Sequence, residues 1–97
     1  MAGDPRSVMV FAAPGDPQRR KQLDALAFDG TAVARRDVLV VDVAERLDAL
    51  ALCDLYRVTP GVFTVVLIGR DGSELERWDE PVETSELWTL VDSVDGG

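Results

Sequence analysis

The chain has no histidine, one cysteine and one lysine among its 97 residues. Without histidine, the commonest general base and metal ligand near neutral pH is missing. Serine–histidine–aspartate catalysis, paired-histidine zinc sites and mixed cysteine–histidine zinc sites are therefore excluded within one chain. The lone Cys53 has no partner for an internal disulfide. Ordinary thiol–disulfide exchange also needs a thiolate at a helix N-terminus and a resolving thiol within reach, and the sequence supplies no such pair. No stretch approaches the ~20 apolar residues of a membrane-spanning helix. Spacings for a phosphate loop, a dinucleotide turn or a calcium loop are absent too. Asp79, Glu80 and Glu83 lie close together in sequence, but without alternating ligand spacing they read as solvated surface.

Basic residues are few: ten against eighteen acidic ones, a formal charge of −8. Nucleic-acid binding rests on lysine and arginine neutralising phosphates, so no nucleic-acid partner is expected. Anionic membrane surfaces are disfavoured for the same reason. The scarcity of lysine, with aspartate twice as common as glutamate, suggests a high-GC genome and a salt-adapted source. The first residues contain no apolar signal core. The expectation is a cytoplasmic chain, or a periplasmic one if a leader has been trimmed.

What the sequence does contain is an alternation of strand and helix signals, enough for one domain over 1–97 with an ordered core over about 7–94. Met1–Ser7 and Asp92–Gly97 are expected to be loose ends. Ser7–Ala13 is a short apolar run and reads as a buried strand. Asp16-Pro17 opens a helix, with Asp16 as cap and proline where its missing N–H costs nothing. Leu23, Leu26 and Ala27 mark its inner face and Arg19, Arg20 and Lys21 its wet one, with Gly30 as the stop or a further turn through Thr31–Ala34.

Asp37–Val43 has apolar residues in both alternate sets, which predicts a second strand covered on both faces. Glu45–Tyr56 follows as a helix, with Leu47, Leu50, Ala51, Leu55 and Val58 inward, and Thr59-Pro60-Gly61 breaks it. Val62–Gly69 is the strongest strand. Arg70-Asp71-Gly72 turns it back into Ser73–Trp78, a half-exposed edge strand. Thr84 or Ser85 then caps a last helix carrying Leu87, Leu90, Val91 and Val94. The order is β-α-β-α-β-β-α, an α/β chain with a four-stranded mixed sheet sandwiched by helices.

That order resembles the minimal thioredoxin fold. Val8–Ala13 followed by Pro14-Gly15-Asp16-Pro17-Gln18 resembles the strand and active-site turn of that fold. Tyr56-Arg57-Val58 and Gly61-Val62-Phe63-Thr64 resemble its later passage, with Phe63 at the position of the family's cis-proline. A closer resemblance, over about residues 8–94, is to the bacterial thioredoxin-like family of unknown function DUF4174. It is carried by Arg36-Asp37, by Phe63–Gly72 and by Glu86-Leu87-Trp88. That family usually has lysine where this chain has Arg70, and many members carry a basic tail where this chain has Asp92–Gly97.

The resemblance puts Asp16 where a thioredoxin has its nucleophile, and puts Phe63 beside Pro14 and Gly15 on the former substrate face. Pro14, Gly15, Asp16 and Phe63 are accordingly the candidate docking surface, joined by Trp78 and Trp88, the only two tryptophans. No catalytic, cofactor or metal residue is assigned. The leading expectation is a non-catalytic module that binds a protein partner, not an enzyme. The alternatives are a thiol-dependent redox or peroxidase-like enzyme using Cys53, and a homo-oligomeric subunit paired through the Ser73–Trp78 edge, as in a homodimer. For Cys53 the plain account is a small core residue, and Asp54 beside it would oppose a thiolate.

Overall fold

The computed structural model describes residues 5–95. Four strands form one mixed sheet: β1 (Arg6–Phe11), β2 (Val38–Asp42), β3 (Thr64–Ile68) and β4 (Glu74–Trp78), in the order β2-β1-β3-β4. β1 pairs with β2 in parallel and with β3 antiparallel, and β3 pairs antiparallel with β4. The helices are α1 (Pro17–Phe28), α2 (Gly30–Arg35), α3 (Ala49–Tyr56) and α4 (Thr84–Asp95), with a 3-10 turn at Val43–Glu45. The mixed sheet with helices on both faces is the expected architecture. Of the expected loose ends, Arg6 and Ser7 already belong to β1 and Asp92 to α4, while residues 1–4 and 96–97 lie outside the described residues. Among the described residues no helix is long and apolar enough to cross a membrane.

Local chemistry explains most boundaries. The Asp16 carboxylate accepts from the Gln18 N–H at 2.9 Å and Pro17 is the first residue of α1, a proline-opened capped helix. Gly30 does not end the helical stretch but opens α2, after a one-residue break at Asp29. Thr84 is the first residue of α4 rather than its cap. The β3–β4 reversal is as expected: Gly72 has φ +86, and the Asp71 carboxylate accepts from the Ser73 N–H at 3.0 Å and its hydroxyl at 2.7 Å.

One face of the sheet packs under α1, α2 and α4, around Val8, Val10, Leu26, Phe63, Leu67 and Leu87. The other packs under α3, around Met9, Phe11, Val43, Cys53, Val66 and Ile68. Four expectations about burial are corrected. β2 is not covered on both faces: it forms a sheet edge, with Leu39 53 % and Val40 38 % exposed. Its apolar run is real, but no strand lies beyond it among the described residues.

The second helix begins later than Glu45, after a 3-10 turn and an Arg46–Asp48 link, and it faces the other way. Leu47, Leu50 and Leu55 are exposed, while Ala49, Leu52, Cys53 and Tyr56 pack on the sheet. On α1 the inner face is Gln22 and Leu26 with Leu23 beside them, and Ala27 points outward. Val94 of α4 is also exposed, although Leu87 and Val91 are buried as expected.

Polar clamps close the three-helix face. The buried Gln22 amide donates to the Val82 carbonyl at 3.1 Å and accepts from the Val82 N–H at 2.8 Å, so one side chain acts as a strand segment. The Trp88 indole donates to Asp29 at 2.6 Å, and the Arg36 guanidinium stacks over the Trp88 ring at 5.2 Å while pairing with Asp92. At the sheet's far end Arg77 donates to the Tyr56 and Arg57 carbonyls at 2.7 and 3.3 Å, closing the last turn of α3.

Candidate functional site

The loop after β1 and the loops around α3 meet at one end of the sheet. There Phe11–Pro14, Val43-Ala44, Ala49, Leu50, Cys53 and Pro60-Gly61 line a hollow of about 270 Å³ whose walls are chiefly carbon. The hollow lies at the C-terminal end of the parallel β1–β2 pair, where ligands characteristically collect in open α/β sheets. Its shape follows from sequence. Ala12-Ala13-Pro14 leaves no large side chain to fill the space, and Gly61 adopts a left-handed φ of +84 that brings Pro60 back toward α3.

Arg57, also left-handed, ends α3, and the Val58 N–H donates to the Cys53 carbonyl at 2.8 Å. The thiol of Cys53 is thereby held on an ordered helix turn. Its residue is only 8 % exposed, yet it borders both this hollow and a shallower one formed with Arg57, Val58, Thr59 and Pro60.

Arg19 fixes the rim. Its guanidinium donates to the Pro14 carbonyl at 2.6 Å, to Asp42 at 2.9 and 2.6 Å, and to Glu45 at 3.2 Å. The loop after β1 is thus tied to the end of β2 through the first turn of α1. The hydrogen bond to the Asp42 carboxylate, and then its charge, raise the guanidinium above its ordinary value despite partial burial. Sequence reasoning placed Arg19 on the wet face. Its carboxylate partners lie more than twenty residues away, and no local spacing announces them.

The structure brings Pro14 and Cys53 together at the hollow, with Gly15 and Asp16 following Pro14 on the same loop. The other candidates lie elsewhere. Phe63 is 3 % exposed and packs with Val8, Val10 and Leu26 under the three-helix face, so it offers no docking surface. Trp88 is buried against Asp29 and Arg36. Trp78 is half-buried at the end of β4, its indole donating to Glu86 at 3.0 Å. Leu50 was expected inside the core. It is 73 % exposed and belongs to the rim.

Comparison with solved structures shows the thioredoxin fold. Thioredoxin-2 of the malaria parasite, a component of its protein secretion machinery, matches with a TM-score of 0.69 and 20% identity, over 92% of this chain and 82% of that one. Chloroplastic thioredoxin z matches with a TM-score of 0.69 and 21% identity, over 97% and 81%. The thioredoxin of Fasciola hepatica matches with a TM-score of 0.63 and 24% identity, over 92% and 81%. No curated protein matches the sequence. The model of the domain of unknown function DUF4174 matches residues 1–95, and the chain belongs to that family, as a member with one cysteine and no CxxC pair.

Proposed function

We propose that the chain is a non-catalytic, thioredoxin-like binding module that takes an apolar side chain of a protein partner in the hollow beside α3. The observation that carries this reading is the hollow itself: apolar, rimmed by the exposed Leu50, and placed where the loops after the two parallel strands converge. At about 270 Å³ it falls below the roughly 300 Å³ at which small-ligand sites begin, but it suits one or two side chains. An exposed leucine beside a preformed apolar recess also fits protein recognition, where a few buried anchors supply most of the binding energy. The absence of histidine from the sequence and of a second cysteine argues in the same direction.

The test is affinity capture from native extract with the wild type and Leu50→Asp, followed by titration calorimetry on whatever is retained. Leu50 is exposed, so circular dichroism and the melting temperature of the variant should match the wild type. A partner held by the wild type and lost by Leu50→Asp supports the module. No partner, or one indifferent to Leu50, ends this reading.

A second reading, thiol-dependent redox or peroxidase-like chemistry, is favoured by the position of Cys53 on the wall of the same hollow. Native-state labelling with a thiol reagent separates the two. A labelling rate like that of a free, low-pKa thiol supports chemistry at Cys53. Labelling only after denaturation leaves it a packing residue.

A further inference from the structure

The sheet has two edges, and they are built differently. β4 carries Glu74, Glu76 and Arg77, and its pairing with β3 is broken by a register shift between Leu67 and Ile68. Charges and bulges of this kind are how proteins keep an edge from pairing with another chain. β2 has no bulge, and its one charge, Asp42, stands at its end and is paired with Arg19. From Val38 to Val41 it is Val-Leu-Val-Val, without charge, proline or bulge, and Leu39 and Val40 are exposed. We propose that the β2 edge pairs with the β2 edge of a second copy of this chain, joining two sheets across a twofold axis at Val40.

The parity of the ladder and the length of the strand together fix the register. Arg6 lies opposite Val38 and its N–H donates to the Asp37 carbonyl at 3.1 Å, so Asp37, Leu39 and Val41 turn their backbone groups toward β1. Val38, Val40 and Asp42 therefore turn theirs outward. An antiparallel pair centred on Val40 sets it against its own copy and sets Val38 against Asp42 of the second copy, so every outward N–H and C=O meets a partner. A register displaced by one residue would bring inward-facing groups to the interface and satisfy none of them.

Side chains and charge agree with this register. On the α3 face the exposed Leu39 comes to lie across from Val41 of the second copy, extending the apolar surface of the sheet. Asp42 is already paired with Arg19 and brings no uncompensated carboxylate to the seam. The antiparallel arrangement also sets Arg35 of one copy toward Glu45 of the other, so opposite charges approach at both ends of the seam. The residues outward on β4, Leu75 and Arg77, offer no comparable match, because Arg77 is committed to Glu74 and to the last turn of α3.

A seam of two five-residue strands buries less than a standard interface. The dimer is therefore weak, with a dissociation constant of ~10–1000 μM. Sedimentation velocity from about 10 μM to about 1 mM should show a reversible monomer–dimer equilibrium. Amide exchange followed by NMR should show protection of Val38, Val40 and Asp42 rising with concentration, while Leu39 and Val41 stay protected throughout. Val40→Lys places two ammonium groups across the axis and should weaken association at least ~10-fold, whereas Glu76→Lys and Leu50→Asp should leave it unchanged. Should Val40→Lys fail to fold, Leu39→Lys at the more exposed neighbour replaces it, and the alternating amide pattern of the wild type stands as an independent readout. A wild type that stays monomeric at about 1 mM overturns the proposal. A dimer that survives the lysine, or protection that rises at Leu75 and Arg77 instead, overturns it equally.

Discussion

The two faces of this sheet solve the same packing problem in different ways. Under α1, α2 and α4 the core is sealed by side-chain clamps that join residues some sixty positions apart: Gln22 to Val82, Trp88 to Asp29, Arg36 to Asp92. Under α3 a single two-turn helix covers Met9, Phe11, Val66 and Ile68, and it does so with modest residues. Two of its three leucines, Leu50 and Leu55, face solvent, while Leu52 packs on the sheet. The first face therefore carries the specific long-range ties of the fold, while the second keeps large apolar side chains free at a recess. A helix can serve both purposes only when it has more apolar surface than its own packing consumes.

The contrast is broken most severely by substituting one large residue on each face. Phe63→Ala, in the three-helix core, should cost about 3–5 kcal/mol by urea denaturation, whereas Leu50→Ala beside the recess should stay within about 0.5 kcal/mol of the wild type. Equal costs would mean that Leu50 belongs to the core after all. A smaller effect isolates the clamps. Gln22→Ala leaves the buried Val82 N–H and C=O without their partner and should cost about 1–3 kcal/mol in the same assay. A loss no greater than that of an exposed site would show that the amide pair is not what joins α1 to the entry of α4.

The smallest effect is the pH dependence of the Arg36–Asp92 pair. The hydrogen bond from Arg36 holds the Asp92 carboxyl below the usual carboxylate range in the folded protein. Its contribution is therefore present above the unfolded aspartate value near pH ~4 and is lost as pH falls through the lower folded value. The melting temperature of Asp92→Asn should trail the wild type slightly at neutral pH and converge with it by about pH 2. A gap that widens in acid would contradict the pairing.

Much of this fold is legible in the sequence because local chemistry and tertiary need agree. Asp16-Pro17 opens α1, Arg70-Asp71-Gly72 turns the hairpin, and charge marks β4 as an edge. The face of α3 is not legible, for a definite reason. Leu47, Leu50 and Leu55 have near-helical spacing, but so do Ala49, Leu52, Cys53 and Tyr56, the set that packs on the sheet. Hydropathy favours the leucines, but the set that meets Phe11 and Val66 in the fold is the other one. The same ambiguity hid the candidate site, since Leu50 on its rim was expected inside.

β2 misled in the opposite sense, because a doubly apolar strand is the mark of a covered interior as well as of an uncapped edge. Gln22 and Arg19 gave no local sign at all. Both are polar residues on a helix whose partners are set only when distant chain segments arrive.

The placement of β1 has a consequence for the chain as it is made. β1 is an interior strand made before the other three described strands, and its antiparallel neighbour β3 lies some sixty residues downstream, with Val8 opposite Leu67. At 5–20 residues per second that partner appears only ~3–12 s later. During that interval Val8–Phe11 can pair with β2 alone, which leaves its other edge open. The nascent chain thus passes through a half-built sheet at each round of synthesis, before the strongly acidic segment that follows β3 has been made.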